Sequence, residues 1–437
     1  MKNDLQISHN HHDSSIYNPL IDILRGFAVF FLPLSNASHF LIPIEAKITP
    51  NYFFELSQGM TAIWFVYHLI IELKLFYLLA IVFGMSFAMS QAKTMLSKND
   101  ELTSYDEFSS KQYRRSSGLI ILGVFHGLFF WSGDVLLLYG IVSCLLIIMG
   151  KFASNPISLI SIIIMLLIGS YSYNFWMISD YIQIFDWVGK FDGLPLPLIE
   201  PVYEPLTLSN ESSFLMNRFQ NAEAFLSAIS NAFYHYIWII LALFLFGVLI
   251  VRLGYLNPDI KNNGIQNNTF EYFCYERGIK SIITNFRYAL VVILPLLIIV
   301  SFWQQYIKWH IELGAYYYWY IFEILSMLTV LGGLSLALHC QVSIINSIQK
   351  NRMLKFFQKA GRLSLSLYLT QTIVLNSLAY VFFHIMPISS ENWVINYNQL
   401  IYLVLGISTL FITAILILLW THKKGPAERF MQLCIRG

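Results

Sequence analysis

The chain has 437 residues, of which 57% are hydrophobic and only 12% charged, with a formal net charge of +2. A soluble domain carries roughly 25% charged residues, so this composition directs apolar side chains to lipid rather than to one water-soluble core. The cations are dispersed, which argues against a nucleic-acid partner. The four cysteines (Cys144, Cys274, Cys340, Cys434) show neither metal-ligand spacing nor the setting of a disulfide framework.

A transmembrane helix needs about 20 apolar residues to cross ~30 Å of hydrocarbon. The sequence predicts ten such spans, over 19–40, 73–91, 117–132, 134–151, 156–178, 236–254, 284–305, 317–340, 360–384 and 398–420. The expected fold is therefore all-α, a polytopic membrane helix bundle. It has a polar tail at 1–18, one transmembrane domain over 19–420, and a second tail at 421–437. The amphipathic stretch 52–71 is expected as an interfacial or re-entrant helix before the second span. The third and fourth spans meet at Ser132-Gly133 and form a tight hairpin. Segment 179–235 is acidic, aromatic and Pro-punctuated, and is expected as an ordered external loop or cap.

Placing the N-terminus in the cytoplasm puts 21 of the 27 Lys and Arg on the inner side and four on the outer, with Arg25 and Lys74 in or beside spans. That asymmetry follows the positive-inside rule and sets both termini inside. Residues 1–16 lack the pattern of a cleavable signal, and the first apolar run continues as a full span. His9, His11 and His12 read as part of a polar tail rather than a metal site.

Ionisable groups at membrane depth cost about 2.5–3.5 kcal/mol each on insertion scales and are candidate functional residues by default. They are Asp22, Arg25, Glu72, Lys74, His126 and Asp134, joined by the amides Asn36 and Gln371. Asp22 and Arg25, three apart, share one helix face. They form either a local ion pair or a cytoplasmic anion site, since guanidinium suits phosphate. Asn36 lies about 16 Å farther along the first span and either joins helices or faces a ligand. Glu72 and Lys74 are two apart and belong at a helix break, as an ion-pair network or part of an outer mouth. His126 is mid-span. Asp134 opens the next span as an N-cap, and together they are the materials of an oriented general base. Tyr368, Gln371 and Thr372 form a polar stripe on the ninth span that either bonds helices together or lines a cavity.

Several segments together resemble the YeiB-like proteins, a family catalogued as domain of unknown function 418. They are IDILRGFAVFFLPLSN (21–36), ELKLFYLLAIVFGMSFA (72–88), RRSSGLIILGVFHGLFFWSGDVLLLYG (114–140), AGRLSLSLYLTQTIV (360–374) and GPAERF (425–430). The sequence departs from the family pattern at Tyr17, usually Arg, at Phe31 and Pro33, and at Leu73, usually Gly. The first-span pattern is in turn similar to transmembrane acyltransferases of the acyltransferase 3 and heparan glucosaminide acetyltransferase type, where an Arg is followed eleven residues later by His or Asn. That resemblance implies a bacterial plasma-membrane enzyme moving an acyl group from cytoplasmic acyl-CoA to an acceptor at the outer face. It implies Arg25 with Arg114 or Arg115 on the donor phosphates, His126 as base oriented by Asp134, and Asn36 on the acyl carbonyl. Glu72 and Lys74 would shape the outer mouth, while Tyr368 and Gln371 line the site. His126 lies about 14 Å into its span, so the donor arm needs a tunnel. The same buried groups also suit a transporter relay, and a non-catalytic membrane protein is the third reading.

Overall fold

A computed structural model of the chain describes residues 17–41, 58–96, 101–149, 155–192, 214–256, 270–306, 312–385, 391–420 and 424–436. Within them the architecture is helical throughout, with no strand. The first half holds α1 (Pro19–Leu41), α2 (Gln58–Ile70), α3 (Lys74–Leu96), α4 (Glu101–Phe129), α5 (Leu136–Met149) and α6 (Pro156–Asp192). Next come α7 (Phe214–Tyr234), α8 (Tyr236–Arg252), α9 (Phe270–Asn285), α10 (Leu290–Tyr306) and α11 (Glu312–His339). The chain closes with α12 (Gln341–Ser347), α13 (Arg352–Arg362), α14 (Ser364–Ile385), α15 (Glu391–Leu419) and α16 (Pro426–Arg436). Five helical stretches are long and apolar enough to cross a bilayer, or six when α7 and α8, bent by 59° at His235, count as one span.

Two predicted boundaries shift and a third holds. The external segment expected as a loop or cap over 179–235 is helical at both ends: α6 runs on to Asp192 and α7 begins at Phe214. No proline interrupts α6 after its first residue, and the first of the four prolines stands at Pro195, outside the described residues along with the histidine tail. The ninth span does not begin at 360 but after a break at Leu363, where an amphipathic helix, α13, gives way to α14. Asn351 caps α13 by accepting from Met353 N (2.9 Å) and Leu354 N (3.4 Å). The stretch before the second span does hold a separate helix, α2, set off from α3 by a turn, with 52–57 outside the described residues. α2 packs on α10 and α15, and the apolar run continues from Phe65 to Met95 across the turn at 71–73.

α1 is central, packed against α13, α15, α3 and α14. Its contact with α13 is backbone to backbone: a Cβ on Gly26 would run into the Phe357 carbonyl, and one on Gly361 into the Asp22 carbonyl. Phe27, Phe30 and Phe31 interleave with Phe356 and Phe357 above that contact. One apolar cluster then runs through α1, α3, α5, α8 and α11, and a smaller one joins Leu32, Leu75, Leu119, Leu136, Tyr368 and Met431. The turn between α2 and α3 holds Leu73 at φ 64°, the one described non-glycine residue in the left-handed region. Such a residue costs roughly 1–3 kcal/mol.

Candidate functional site

The α4–α5 hairpin builds the centre of the site. His126 Nδ1 lies 2.8 Å from Asp134 Oδ1, with the two side chains 2% and 0% exposed. Asp134 Oδ2 accepts from Leu137 N at 2.9 Å, so the same carboxylate caps α5. The Tyr368 hydroxyl, from α14, donates to Asp134 Oδ1 and accepts from Val135 N, both at 3.4 Å. Three donors converge on Asp134, the pattern of an ionised acceptor. Nδ1 of His126 then carries the proton, which leaves Nε2 as the basic nitrogen. That Nε2 is buried and has no hydrogen-bond partner among the described residues.

The hairpin is latched from two sides. Asn221, on α7, donates to the carbonyls of Gly127 and Leu128, both at 2.8 Å, and accepts from Ser132 N at 3.1 Å. Asn376, on α14, donates to the Phe130 carbonyl at 2.9 Å. These bonds take up carbonyls that the end of α4 would otherwise leave unpaired. The turn carrying the dyad is therefore fixed by side chains far away in sequence.

The stripe on α14 bridges the dyad to α1. Tyr368 reaches Asp134, while Gln371 Nε2 donates to the Val29 carbonyl at 3.0 Å, its Oε1 remaining buried without a partner. Asn36 is buried on α1 two turns beyond Val29, and no hydrogen bond joins it to the dyad.

At the N-terminal end of α1 a charged cluster forms around Asp22. Asp22 accepts from Tyr17 (2.5 Å), from Arg362 Nε (3.4 Å) and from Arg25 (3.5 Å). Arg25 also donates to Ser86 Oγ on α3. Burial, and then the bond to Asp22, raise the Tyr17 phenol above its usual range. Arg115 lies over the Phe83 ring at 5.9 Å and close enough to Arg25 for the two charges to repel, without an ion pair among the described residues. Arg114 is different: it is exposed and donates to the Ile435 carbonyl at 3.3 Å. Arg25 and Arg362 thus share the Asp22 carboxylate, Arg115 lies beside Arg25, and the Glu428 carboxylate is a second counter-charge acting on Arg25. The Arg362 guanidinium was not foreseen. It reaches Asp22 and Tyr17 from α13.

Glu72 and Lys74 sit elsewhere. Lys74 Nζ donates to the His68 carbonyl at 2.8 Å and lies 4.2 Å above the Phe322 ring, on the α11 side of α3. The structure does not bring either residue to His126.

The closing motif has a structural reason. Glu428 accepts from Leu365 N (2.9 Å) and Ser366 N (3.1 Å) and from Ser366 Oγ, capping α14 from the following segment. Glu323 is the other carboxylate missed. It lies inside the eighth predicted span, fully buried, and the rule that singled out Asp22 and Asp134 applies equally to it. No group of three or more potential metal ligands occurs among the described residues.

Comparison with known proteins adds a likeness over part of the chain and no activity. Residues 277–436 match the family model described as a protein of unknown function, DUF418. A 125-residue stretch is 30% identical to the uncharacterized protein YeiB of Escherichia coli (strain K12) and covers 29% of this chain and 29% of that protein. No solved structure matches.

Proposed function

We propose, from the premise that this chain belongs to the YeiB-like DUF418 family, that it is a multi-pass acyltransferase of the bacterial plasma membrane. In this reading it crosses the bilayer ten times with both termini in the cytoplasm. The reading rests on one observation: a buried histidine whose Nδ1 is held by a carboxylate and whose Nε2 has no partner among the described residues. A general base has that form, with the free nitrogen aimed at the proton it will take.

In the proposed cycle Arg25 and Arg115, with Arg362, hold the phosphates of an acyl-CoA at the inner face. His126 removes the proton of an acceptor hydroxyl or amine as that atom attacks the thioester carbonyl. Asp134 stabilises the imidazolium, and Tyr368 holds Asp134. The imidazolium then returns the proton to the departing thiolate. Asn36 is the donor on α1 assigned to the acyl carbonyl as charge develops on its oxygen. Arg114 faces the adjacent C-terminal helix instead and has no part in this scheme.

Binding tests the donor half. Purified protein should bind CoA and acetyl-CoA, and Arg25→Ala or Arg115→Ala should weaken binding about tenfold or more, since each removes charge-assisted bonds of roughly 1.5–3 kcal/mol. Absence of CoA binding by the folded parent protein would remove the donor. The transporter reading keeps one specific support, the helix break at His235 beside the buried Glu323.

A further inference from the structure

The second buried cluster is built around that break. His235, between α7 and α8, places Nε2 3.0 Å from Glu323 Oε2 on α11. The other Glu323 oxygen accepts from the Tyr77 hydroxyl at 2.9 Å. On the opposite side, His235 Nδ1 lies 2.7 Å from Ser170 Oγ and 2.6 Å from Asn174 Nδ2, both on α6. The Asn174 amide is oriented in turn, because its oxygen accepts from the Tyr320 hydroxyl at 3.2 Å. Asn174 Nδ2 can only donate, so Nδ1 is the acceptor nitrogen and Nε2–H points at the carboxylate; the Ser170 hydroxyl, within reach of Nδ1, has the His235 carbonyl at 3.2 Å as a second acceptor. Ser170, His235 and Glu323 are 3%, 5% and 0% exposed.

A hydroxyl bonded to a histidine that is itself oriented by a carboxylate is the arrangement of an activated nucleophile. Two further features give it a substrate. Ser170 lines a cavity of about 390 Å³ whose other walls include Met165, Leu166, Tyr173, Phe233 and Trp238. α6 keeps only 28% of its most apolar window buried, so this side of the bundle is open to lipid. In addition, His235 is the N-cap of α8 and makes no side-chain bond to the first turn; Trp238 N bonds the His235 carbonyl at 3.2 Å, which leaves the Tyr236 and Ile237 amides as the candidate oxyanion donors.

We propose that Ser170, His235 and Glu323 form a second, independent centre that cleaves acyl esters with long apolar chains entering from the lipid. Ser170 Oγ bonds to the ester carbonyl carbon, and its proton passes to His235 Nδ1. The ester C–O bond breaks and the leaving alkoxide takes that proton. Water then attacks the acyl-serine, gives its proton to His235, and releases the fatty acid as Ser170 recovers its hydrogen. Glu323 is a positioning residue that stabilises the imidazolium, and Tyr77 holds its second oxygen.

A long-chain alkyl fluorophosphonate tests this on the intact protein in micelles, with the adduct mapped by mass spectrometry. Attack forms the Ser170 Oγ–P bond and expels fluoride together with the proton. The expected result is one adduct on Ser170, absent in Ser170→Ala and formed at least tenfold more slowly in His235→Gln. Glu323→Gln should slow labelling and move its pH midpoint downward, because the imidazolium loses its counter-charge; a purely structural role would leave the midpoint in place. No adduct on Ser170 in monodisperse parent protein, or an undiminished rate in His235→Gln, overturns the proposal.

Discussion

Asp134 performs two tasks that substitution can separate. Asp134→Ala removes the cap on Leu137 N, about 1 kcal/mol, and leaves His126 Nδ1 buried without a partner, roughly 1–3 kcal/mol. Neither group is near water, since both side chains are at most 2% exposed. The expected loss is about 2–4 kcal/mol. Asp134→Asn caps as well as aspartate does, and its amide NH₂ can still face Nδ1. Its stability should stay within about 1 kcal/mol of the parent. The proton, however, is driven to Nε2 and the base is lost. Reversible unfolding in mixed micelles, followed for both variants, gives the comparison. An Asp134→Ala no less stable than Asp134→Asn would refute the double role.

Other outcomes follow from single contacts. Glu428→Ala should cost about 1–3 kcal/mol through the lost charge-assisted bonds to Leu365 N and Ser366 N, and should speed proteolysis of the C-terminal segment. Gly361→Leu should abolish recovery of monodisperse protein, because its Cβ would meet the Asp22 carbonyl. Leu73→Gly releases strain but loses partial packing, so its stability should change by less than about 1 kcal/mol, whereas Leu73→Val, β-branched at φ 64°, should cost more. Asn221→Ala leaves two carbonyls of the α4 end unpaired and should cost about 1–3 kcal/mol, read by the same unfolding assay.

The helices are legible in the sequence because apolar length is a local property: the apolar runs fall on helices, five or six of them long and apolar enough to cross a bilayer among the described residues, and the Ser132-Gly133 turn falls where the pattern breaks. The His126–Asp134 pair is legible for a related reason, since eight residues across a tight hairpin leave little freedom. Position along the chain does not say which guanidinium turns inward. Arg114 and Arg115 are neighbours, yet 100° per residue puts one beside Ile435 and the other beside Arg25. Arg362 and Glu428 act on residues more than 60 positions away, and no periodicity reports such contacts. Glu72 and Lys74 sit at a break, as their spacing implies, but the turn at Leu73 aims Lys74 toward Phe322 rather than the dyad. Glu323 was visible as a mid-span carboxylate, and its partner His235 was hidden at the edge of an external segment.

The most direct test is single-turnover release of CoA from acetyl-CoA by inverted membrane vesicles, which carry the acceptor, comparing the parent protein with His126→Asn. Loss of a positioned base predicts a rate lower by roughly 100-fold or more, with CoA binding retained. An equal release rate in the two would contradict a chemical role for the buried nitrogen on which the whole reading depends.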